Sequence, residues 1–397
     1  MQLTIRAYVI EVRNKEHALS VLASVGADQA GCRWMAPKAI HRLVMLEGLL
    51  PKQANIIKQE MLGKGGEAAV SRGVIDGSVR ESKVLLMGTL KQYGAFLDKL
   101  MLQPFGLADL AVRIRSLLNG LEERPSFNLV CRDKIIRLGE RTLVVGILNV
   151  TPDSFSDGGI YRDCGSALIR AKQMVADGAD IIDLGGESTR PGYKPVDVGD
   201  ELSRVIPVLR KLIKEVSVPI SVDTTKIDVA RQALEAGAHI INNQRPLDVE
   251  PAMYDLVAEY GAPLVLMHNQ QSTEYRDLIG DLIEYFLDSI KVAMSAGVAR
   301  DKLIIDPGFG FGKSTGQNLE VLRRLRELRC LGLPILIGTS RKSTIGKVLG
   351  LPVDQRVEGT AATVAVGIAN GADIVRVHDV KKMVRVARMT DAIVRGK

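Results

Sequence analysis

The stretch "TLVVGILNV" (142–150) is an almost unbroken apolar run, and it stops at the turn-forming segment "TPDSFSDGG" (151–159). Such a run is typical of a strand that is buried on both faces of a parallel sheet. Seven similar runs follow, each succeeded by polar or glycine-rich residues and then by a helical pattern. They are "DIIDLGG" (180–186), "VPISVD" (218–223), "AHIINN" (238–243), "APLVLMH" (262–268), "KLIIDPG" (302–308), "LPILIGTS" (333–340) and "ADIVRVHD" (372–379).

Eight strand–helix repeats over about 250 residues match the size of a (β/α)8 barrel, the TIM barrel. A doubly wound open sheet is the alternative architecture for the same pattern. That fold carries a glycine-rich dinucleotide fingerprint after its first strand, and "TPDSFSDGG" does not contain it. The even eightfold pattern therefore predicts an α/β protein built on a TIM barrel.

The region before residue 125 shows no such repeat. "LTIRAYVIEV" (3–12) and "SKVLLMGT" (82–89) are typical of strands, whereas "KQANIIKQEMLGKGG" (52–66) and "LADLAVRIRSLLNGLEE" (107–123) are typical of helices. We predict a smaller N-terminal α+β domain, an accessory domain whose role the sequence does not give.

The boundary between the two regions falls in "ERPSFNLVCRDKIIRLG" (123–139), which reads as a linker followed by a small hairpin. We place the N-terminal domain at residues 1–125. The catalytic barrel is then predicted over residues 126–397.

Charge and cysteine usage narrow the class of protein. The net charge is +7, but the densest basic cluster, "RRLRELR" (323–329), resembles the solvated face of a helix and carries no interleaved aromatic residues. We therefore expect no nucleic-acid partner. The four cysteines form no CxxC pair, which argues against a zinc site or a disulfide framework. Cysteines of this kind are typical of a protein in the reducing cytoplasm.

Membrane and targeting segments are not expected either. The sequence has no apolar run of about 18 residues or more, the length that a spanning helix needs. Its first residues, "MQLTIRAYVIEVRNKEH", carry charges early and lack the apolar core of a signal peptide.

A polar side chain ends every predicted barrel strand. In a TIM barrel these ends converge on one face, where catalytic residues lie. Turn formation explains a few such residues, but it explains poorly an arginine, two histidines and three aspartates that emerge from apolar strands. The strand ends are Asn149, Asp183, Asp223, Asn242 or Asn243, His268, Asp306, Ser340, and Arg376 with His378.

The types of these residues indicate the ligand. Asp223, Asn242 and Asp306 offer acceptors and an amide, and Lys342 follows the seventh strand. Such a group can hold a planar heterocycle that carries both donors and acceptors.

A second group of strand-end residues points to an anion. Arg376 and His378 are two residues apart on one strand and so share a face. With Asn149 they could hold a phosphate. Asn and Asp oxygens also suit Mg²⁺, which usually takes substrate phosphate oxygens as further ligands.

The loops after the first two strands are candidate lids. "TPDSFSDGG" (151–159) and "ESTRPGYKP" (187–195) are rich in Gly, Pro, Ser and Thr. Loops that close over a substrate exclude water from the reaction. Phe155 lies at the centre of the first loop and is an unusual residue to expose without a function.

Six segments, in order, carry a family resemblance: "NVTPDSFSDGG", "DLGGESTRPG", "SVDT", "DPGFGFGKS", "GTSRKS" and "RVHDV". Together they resemble the dihydropteroate synthases of the folate pathway. The resemblance covers about residues 125–397, and the part before it resembles an N-terminal extension of some bacterial members. It implies that p-aminobenzoate and a hydroxymethyl-dihydropterin diphosphate are condensed to dihydropteroate and diphosphate with Mg²⁺, by a transferase that forms homodimers.

The resemblance also implies roles for individual residues. The pterin would be bound by Asp223, Asn242, Asp306, Lys342, Met267, Phe311 and Arg376. The diphosphate would be held by Asn149, Arg376 and His378, and the metal by Asn149 and Asp153. The p-aminobenzoate pocket and its lids would use Phe155, Thr189, Arg190, Pro191 and Ser343. Asp183 would support the site by hydrogen bonds, and the catalytic set would be Asp223, Asp306, Lys342, Arg376 and His378.

Two segments depart from the family pattern. In "INNQRPLD" (241–248), Asn243 stands where the family usually has Asp, and Arg245 and Pro246 replace small residues. "MHNQQ" (267–271) replaces a common Met-His-Met.

Two other functions fit parts of the same pattern. One is a pterin-dependent methyltransferase that acts with a corrinoid protein, which should lack the lids and the Arg-x-His pair. The other is a non-catalytic pterin-binding protein, which the departures and the extra N-terminal domain would suit. The lids and Arg376-x-His378 favour the synthase.

Overall fold

A computed structural model describes residues 5–122, 127–150, 160–187, 196–245 and 252–395 of the chain. The chain forms two compact units, Met1–Glu123 and Arg124–Lys397. The boundary expected from the sequence lies two residues further along, at residue 125.

The N-terminal unit combines a small antiparallel sheet with helices, as the sequence predicts. Its sheet has the order β1–β3–β2, formed by β1 (His41–Leu49), β2 (Glu67–Val70) and β3 (Ser82–Thr89). Its helices are α1 (Lys15–Ser24), α2 (Gln29–Met35), α3 (Pro51–Leu62), α4 (Leu90–Leu100) and α5 (Leu107–Glu122). Apolar residues of α3, α4, α5 and the sheet form one buried core.

The strand predicted at residues 3–12 is wrong. Residues 5–13 have no regular secondary structure, and Ile5 and Val9 are more than nine-tenths exposed. An alternating sequence forms a strand only when a neighbouring strand takes up its backbone hydrogen bonds. Within the described residues, β1 and β3 pair with each other and β3 with β2, and the segment before residue 14 joins none of them.

The second unit begins with the predicted hairpin, β4 (Phe127–Cys131) and β5 (Lys134–Leu138). Eight parallel strands then form the predicted TIM barrel. They are β6 (Leu143–Asn149), β7 (Ile181–Gly185), β8 (Ile220–Asp223), β9 (Ile240–Asn243), β10 (Leu264–Met267), β11 (Leu303–Asp306), β12 (Leu336–Ile337) and β13 (Ile374–Val377). The sheet order runs from β11 through β6 to β13 and β12. A bridge between Ile305 and Ile335 links β11 to the segment before β12 and closes the barrel.

Helices connect the barrel strands. They are α6 (Ile160–Ala176), α7 (Val198–Glu215), α8 (Ile227–Glu235), α9 (Ala252–Tyr260), α10 (Leu278–Ser295), α11 (Thr315–Arg324), α12 (Ser343–Leu349), α13 (Val357–Ala369) and α14 (Val380–Arg395). Asp197 and Asp277 accept backbone N–H groups at the starts of α7 and α10 and so fix where these helices begin. Gly237 and Gly371 follow α8 and α13 with φ of 104° and 106°, a left-handed turn that glycine adopts without strain. Across the described ranges, no helix is both long and apolar enough to cross a membrane.

The barrel interior changes from apolar to polar along each strand. Near the strand starts, aliphatic side chains such as Ile181, Ile240, Ile304 and Ile374 form one cluster, which the β4–β5 hairpin covers with Leu129 and other residues. Side chains two residues apart on a strand share a face. The next inward positions on these four strands are therefore Asp183, Asn242, Asp306 and Arg376.

Substitutions in the β4–β5 hairpin test how much packing at the apolar end of the barrel stabilises the fold. Leu129 is 1% exposed in the basal cluster, so Leu129→Ala should leave a cavity and lower the free energy of unfolding by about 2–5 kcal/mol. Ile135 lies on the outer face of the same hairpin and is 64% exposed, so Ile135→Ala is the matched control. Urea unfolding of both variants checks this, and equal losses would contradict it.

Candidate active site

A buried arginine lies between two carboxylates in the barrel interior. Nε of Arg376 donates to Oδ2 of Asp183 at 2.6 Å, and its Nη2 donates to Oδ2 of Asp223 at 2.8 Å. Burial alone would lower the pKa of Arg376, but the two carboxylates raise it. The guanidinium therefore stays charged and ties β7, β8 and β13 together at their carboxyl ends.

Amide side chains from the end of β9 complete this network. Nδ2 of Asn242 donates to Oδ2 of Asp183 at 3.1 Å. Nε2 of Gln244 lies 2.8 Å from Oδ1 and 2.7 Å from Oδ2 of Asp223. Burial raises the pKa of Asp223 to about 7, and Arg376 opposes part of that rise. The hydrogen bonds from Gln244 and Arg376 thus stabilise the charged form of the Asp223 carboxylate.

Asp306, at the end of β11, is the third buried carboxylate of the interior. Its Oδ1 accepts the N–H of Gly308 at 2.8 Å. Burial raises the pKa of Asp306 to about 6, while that hydrogen bond and the charge of Lys342 lower it. Gly308 has a φ of 68°, and a Cβ there would lie 1.9 Å from the carbonyl oxygen of His268. The turn that caps Asp306 therefore requires glycine.

Lys342 lies at the rim beside an aromatic ring. Its Nζ is 3.9 Å from the centre of the half-buried Phe311 ring, a cation–π distance. Phe311 comes from the loop after β11 and Lys342 from the loop after β12. Two of the loops at the carboxyl ends of the strands thus meet at the pair that was predicted to contact the pterin.

The anion-binding candidates lie on the neighbouring strands. Nδ1 of His378 is 3.0 Å from Oγ of Ser340, which also accepts the N–H of His378 at 3.2 Å. Asn149 ends β6, and a Cβ on Gly185 would lie 3.3 Å from its Oδ1, so glycine leaves room for this side chain. Ser340 therefore fixes the orientation of the His378 ring at the mouth of the barrel.

One cavity is lined by six of the eleven predicted site residues that the structure describes. Its lining includes Asn149, Asp223, Lys342, Ser343, Arg376 and His378. Asp183 and Asn242 connect to this lining through hydrogen bonds, and Phe311 through Lys342. Met267 is buried at the end of β10, level with Asp306. Asp153, Phe155, Thr189, Arg190, Pro191 and Pro246 lie outside the described residues.

The strand-end residue His268 serves a different purpose from the others. Its Nδ1 lies 2.9 Å from Nζ of the buried Lys313, which also donates to the carbonyl oxygens of Gly308 and Phe311 at 3.4 and 3.2 Å. Burial lowers the pKa of Lys313 to about 7 and that of His268 to about 3. This pair holds the loop that carries Phe311.

Sequence reasoning missed several residues of the site. Gln244 lies in "INNQRPLD" and Lys313 in "DPGFGFGKS", but nothing in their spacing shows that they turn inward. Arg341 has a φ of 57° and forms a two-bond ion pair with Asp379, at 2.9 and 2.7 Å. Arg356, which also lines the cavity, donates to the carbonyl oxygen of Arg341. The signal for Arg341 and Asp379 was their position beside two strand-end motifs.

The described residues offer few ligands for a metal ion. They contain no group of three or more His, Cys, Asp or Glu side chains that could hold a metal ion. A closed protein cage is therefore not present in that part of the chain. Asn149 still offers an oxygen at the mouth of the cavity, which suits Mg²⁺ because this ion keeps waters and takes substrate phosphate oxygens.

Comparison with known proteins identifies relatives of the barrel. Residues 145–378 match the family described as "Pterin binding enzyme". Dihydropteroate synthase of Bacillus subtilis is 53% identical over 254 residues, which are 64% of this chain and 89% of that relative. The crystal structure of dihydropteroate synthase from Clostridium difficile in the presence of pteroic acid is 54% identical. It matches with a TM-score of 0.64 and covers 65% of this chain and 98% of that one.

A third relative matches almost the whole chain. The probable bifunctional folylpolyglutamate synthase/dihydropteroate synthase of Halobacterium salinarum is 41% identical over 389 residues, which are 96% of this chain and 46% of that relative. The similarity therefore extends over the N-terminal unit. This chain spans less than half of that longer relative.

The buried Lys313 makes stability depend on pH. Its pKa is about 7 in the folded chain and about 10.4 in an unfolded one. Between these values the unfolded chain binds more protons, so the free energy of unfolding rises with pH. Lys313→Met should flatten this rise, by up to about 1.4 kcal/mol per pH unit. Lys347→Met, at an exposed lysine, should not. Urea unfolding across this pH range checks both variants, and parallel curves for wild type and Lys313→Met would contradict the assignment.

Proposed function

The chain belongs to the family of pterin binding enzymes, and we propose that it works as a dihydropteroate synthase. It would join p-aminobenzoate to 6-hydroxymethyl-7,8-dihydropterin diphosphate and release diphosphate. The observation that carries this proposal is the set of three carboxylates, an amide and an arginine inside the barrel, below a rim of cationic side chains. The relatives named dihydropteroate synthase support it.

The interior residues suit the pterin ring. A pterin carries an amino group and ring N–H groups beside acceptor atoms, and Asp223 and Asp306 supply buried acceptors for them. Asn242 offers both an acceptor and a donor. Lys342 supplies a positive donor at the rim, next to the Phe311 ring. Charge-assisted hydrogen bonds in a buried site are the strong ones, so this set would fix the orientation of the ring.

The residues at the rim, together with the buried Arg376 below it, suit the diphosphate. His378, Asn149 and Arg376 line the same cavity, with Arg341 and Arg356 beside them. In the reaction the methylene C–O bond breaks and the diphosphate leaves with the electron pair. Donors that already point at the developing negative charge stabilise the transition state. The cationic rim would therefore stabilise the charge of the leaving group.

The second half of the reaction forms the new bond. Loss of diphosphate leaves a cation that is delocalised into the pterin, and the carboxylates of Asp223 and Asp306 would stabilise it. The neutral amine of p-aminobenzoate attacks the methylene carbon, forms the C–N bond and gives up a proton to diphosphate or solvent. Because the amine is neutral at pH 7, no strong base is needed. Ser343 lines the cavity and would contact p-aminobenzoate, together with the lid residues.

We propose Mg²⁺ as the cofactor, with Asn149 as its ligand from the described residues and Asp153 as a further ligand. Bound there with the diphosphate, the ion would neutralise charge on the leaving group. Asn149 would also bind the diphosphate beside the metal ion. Its amide oxygen lies next to Gly185.

We also propose a cytoplasmic homodimer. All four cysteines lie in the described part of the chain, are buried and form no disulfide there, which suits a reducing compartment. Helix α13 is rich in small residues and exposes Val366, so a second copy could pack closely against it. Mass measurement by light scattering distinguishes a dimer from a monomer.

The proposed activity has a direct assay. Purified chain is mixed with the pterin diphosphate, p-aminobenzoate and Mg²⁺, and both diphosphate and dihydropteroate are measured. We expect the two products in equal amounts. Pterin binding without diphosphate release would favour a non-catalytic protein. Methyl transfer from a methylated pterin to a corrinoid protein, again without diphosphate release, would favour the methyltransferase.

Lys342 should control pterin affinity. Lys342→Ala removes the positive donor near the heterocycle, and we expect binding of a bare pterin to weaken about ten- to a hundredfold. Lys347→Ala removes an exposed lysine of α12 and is the matched control. Calorimetry measures both, and an unchanged dissociation constant for Lys342→Ala would refute this role.

Asn149 should control the magnesium requirement. Asn149→Ala removes an oxygen ligand, so we expect the Mg²⁺ concentration for half-maximal activity to rise about tenfold. Binding of a bare pterin, which carries no diphosphate, should stay the same. If both parameters shift together, Asn149 holds the pterin rather than the metal.

A further inference from the structure

The side-chain amide of Gln244 donates hydrogen bonds to the carboxylate of Asp223. Its Nε2 is 2.8 Å from Oδ1 and 2.7 Å from Oδ2, so the amide nitrogen sits between the two oxygens. Nη2 of Arg376 approaches Oδ2 at 2.8 Å. Gln244 and Asp223 are both buried. Both oxygens of Asp223 therefore have hydrogen-bond donors from the protein itself.

The side-chain amide of Gln244 offers the same kind of N–H donor as the edge of the pterin that Asp223 should bind. A carboxamide NH₂ and the amino group of a pterin both offer N–H donors in a plane. A ligand nitrogen that bonds to both oxygens of Asp223 must lie about 2.7–3.2 Å from each. Nε2 of Gln244 occupies that position. The Gln244 amide and the amino group of the pterin cannot occupy this position between the two Asp223 oxygens at the same time.

The shape of the cavity agrees with this occupation. Its lining includes Asp223 and Arg376. Within the described residues it does not include Asn242, Met267 or Asp306, which were predicted to surround the pterin and are buried. Among Asp223, Asn242 and Asp306, this cavity therefore reaches only Asp223.

We propose that Gln244 is a displaceable cap, which occupies the pterin-binding edge of Asp223 in the free enzyme and is displaced when the pterin binds. This inference rests on the proposed function. Gln244 follows the last residue of β9, Asn243, and its long side chain can reach Asp223 or turn away through rotation about its own bonds.

The Gln244 cap stabilises the buried carboxylate of Asp223 but lowers the apparent affinity for the pterin. A buried carboxylate without donors is unfavourable, and burial raises the pKa of Asp223. The amide supplies donors while the site is empty. When only a fraction of the molecules has Asp223 uncapped, the apparent pterin affinity falls by that fraction. Removing the amide should therefore tighten pterin binding, the opposite of losing a ligand contact.

The test compares pterin binding by three variants with wild type, using calorimetry with 6-hydroxymethylpterin. Gln244→Leu keeps most of the side-chain volume but has no donor, and Gln244→Ala removes the side chain. We expect both to bind the pterin about tenfold more tightly. Gln270→Leu is the matched control, because the Gln270 amide donates to backbone carbonyls of Ser272 and Glu274 and not to Asp223. Its affinity should equal that of wild type.

The outcomes separate this inference from the proposed function. If wild type binds the pterin and releases diphosphate but both Gln244 variants bind equally or more weakly, the cap is refuted and the function stands. If wild type neither binds pterin nor releases diphosphate, both fail. Thermal unfolding shows that each variant is folded, and Gln244→Ala decides the question if Gln244→Leu does not fold. A merely structural role for Gln244 would weaken binding, so tighter binding supports the cap.

Discussion

The ion pairs of Arg376 inside the barrel are the interaction on which the rest of the site depends. One guanidinium holds Asp183 on β7 and Asp223 on β8 from its place on β13. A buried charge is tolerated when it is paired and hydrogen-bonded, and removing one partner leaves the other uncompensated, at about 3–5 kcal/mol. The three residues therefore constrain one another. They also fix the relative positions of three strand ends at the floor of the cavity.

This constraint explains why a polar site can exist inside an apolar barrel. The basal layer and the hairpin provide the packed core, and the polar layer begins only two residues further along the strands. The charges above that core are already oriented and shielded from water. A reaction that creates a pterin cation and a diphosphate anion gains from such preorganised charges, because they need no rearrangement as the reaction proceeds. A dihydropteroate synthase is the enzyme that this arrangement suits.

The sequence predicted the barrel well because one signal was repeated eight times. Each apolar run became a strand, and inward-facing polar residues such as Asp223, Asp306 and Arg376 could be named from their positions at the strand ends. The N-terminal run at residues 3–12 gave a similar local signal, but its described part, residues 5–12, pairs with no described strand, which a single segment cannot reveal. Contacts between distant segments were equally invisible. Nothing in the spacing linked Gln244 to Asp223 or Lys313 to His268.

The central claim is that the polar layer of the barrel binds the pterin ring. A crystal structure of the chain with 6-hydroxymethylpterin tests it most directly. The ring should lie among Asp223, Asn242 and Asp306, with its nitrogen atoms about 2.7–3.2 Å from the carboxylate oxygens. The bonds from Arg376 to Asp183 and Asp223 should be kept. A ring bound outside the barrel mouth, with Asp223 and Asp306 making no contact to it, would contradict the account.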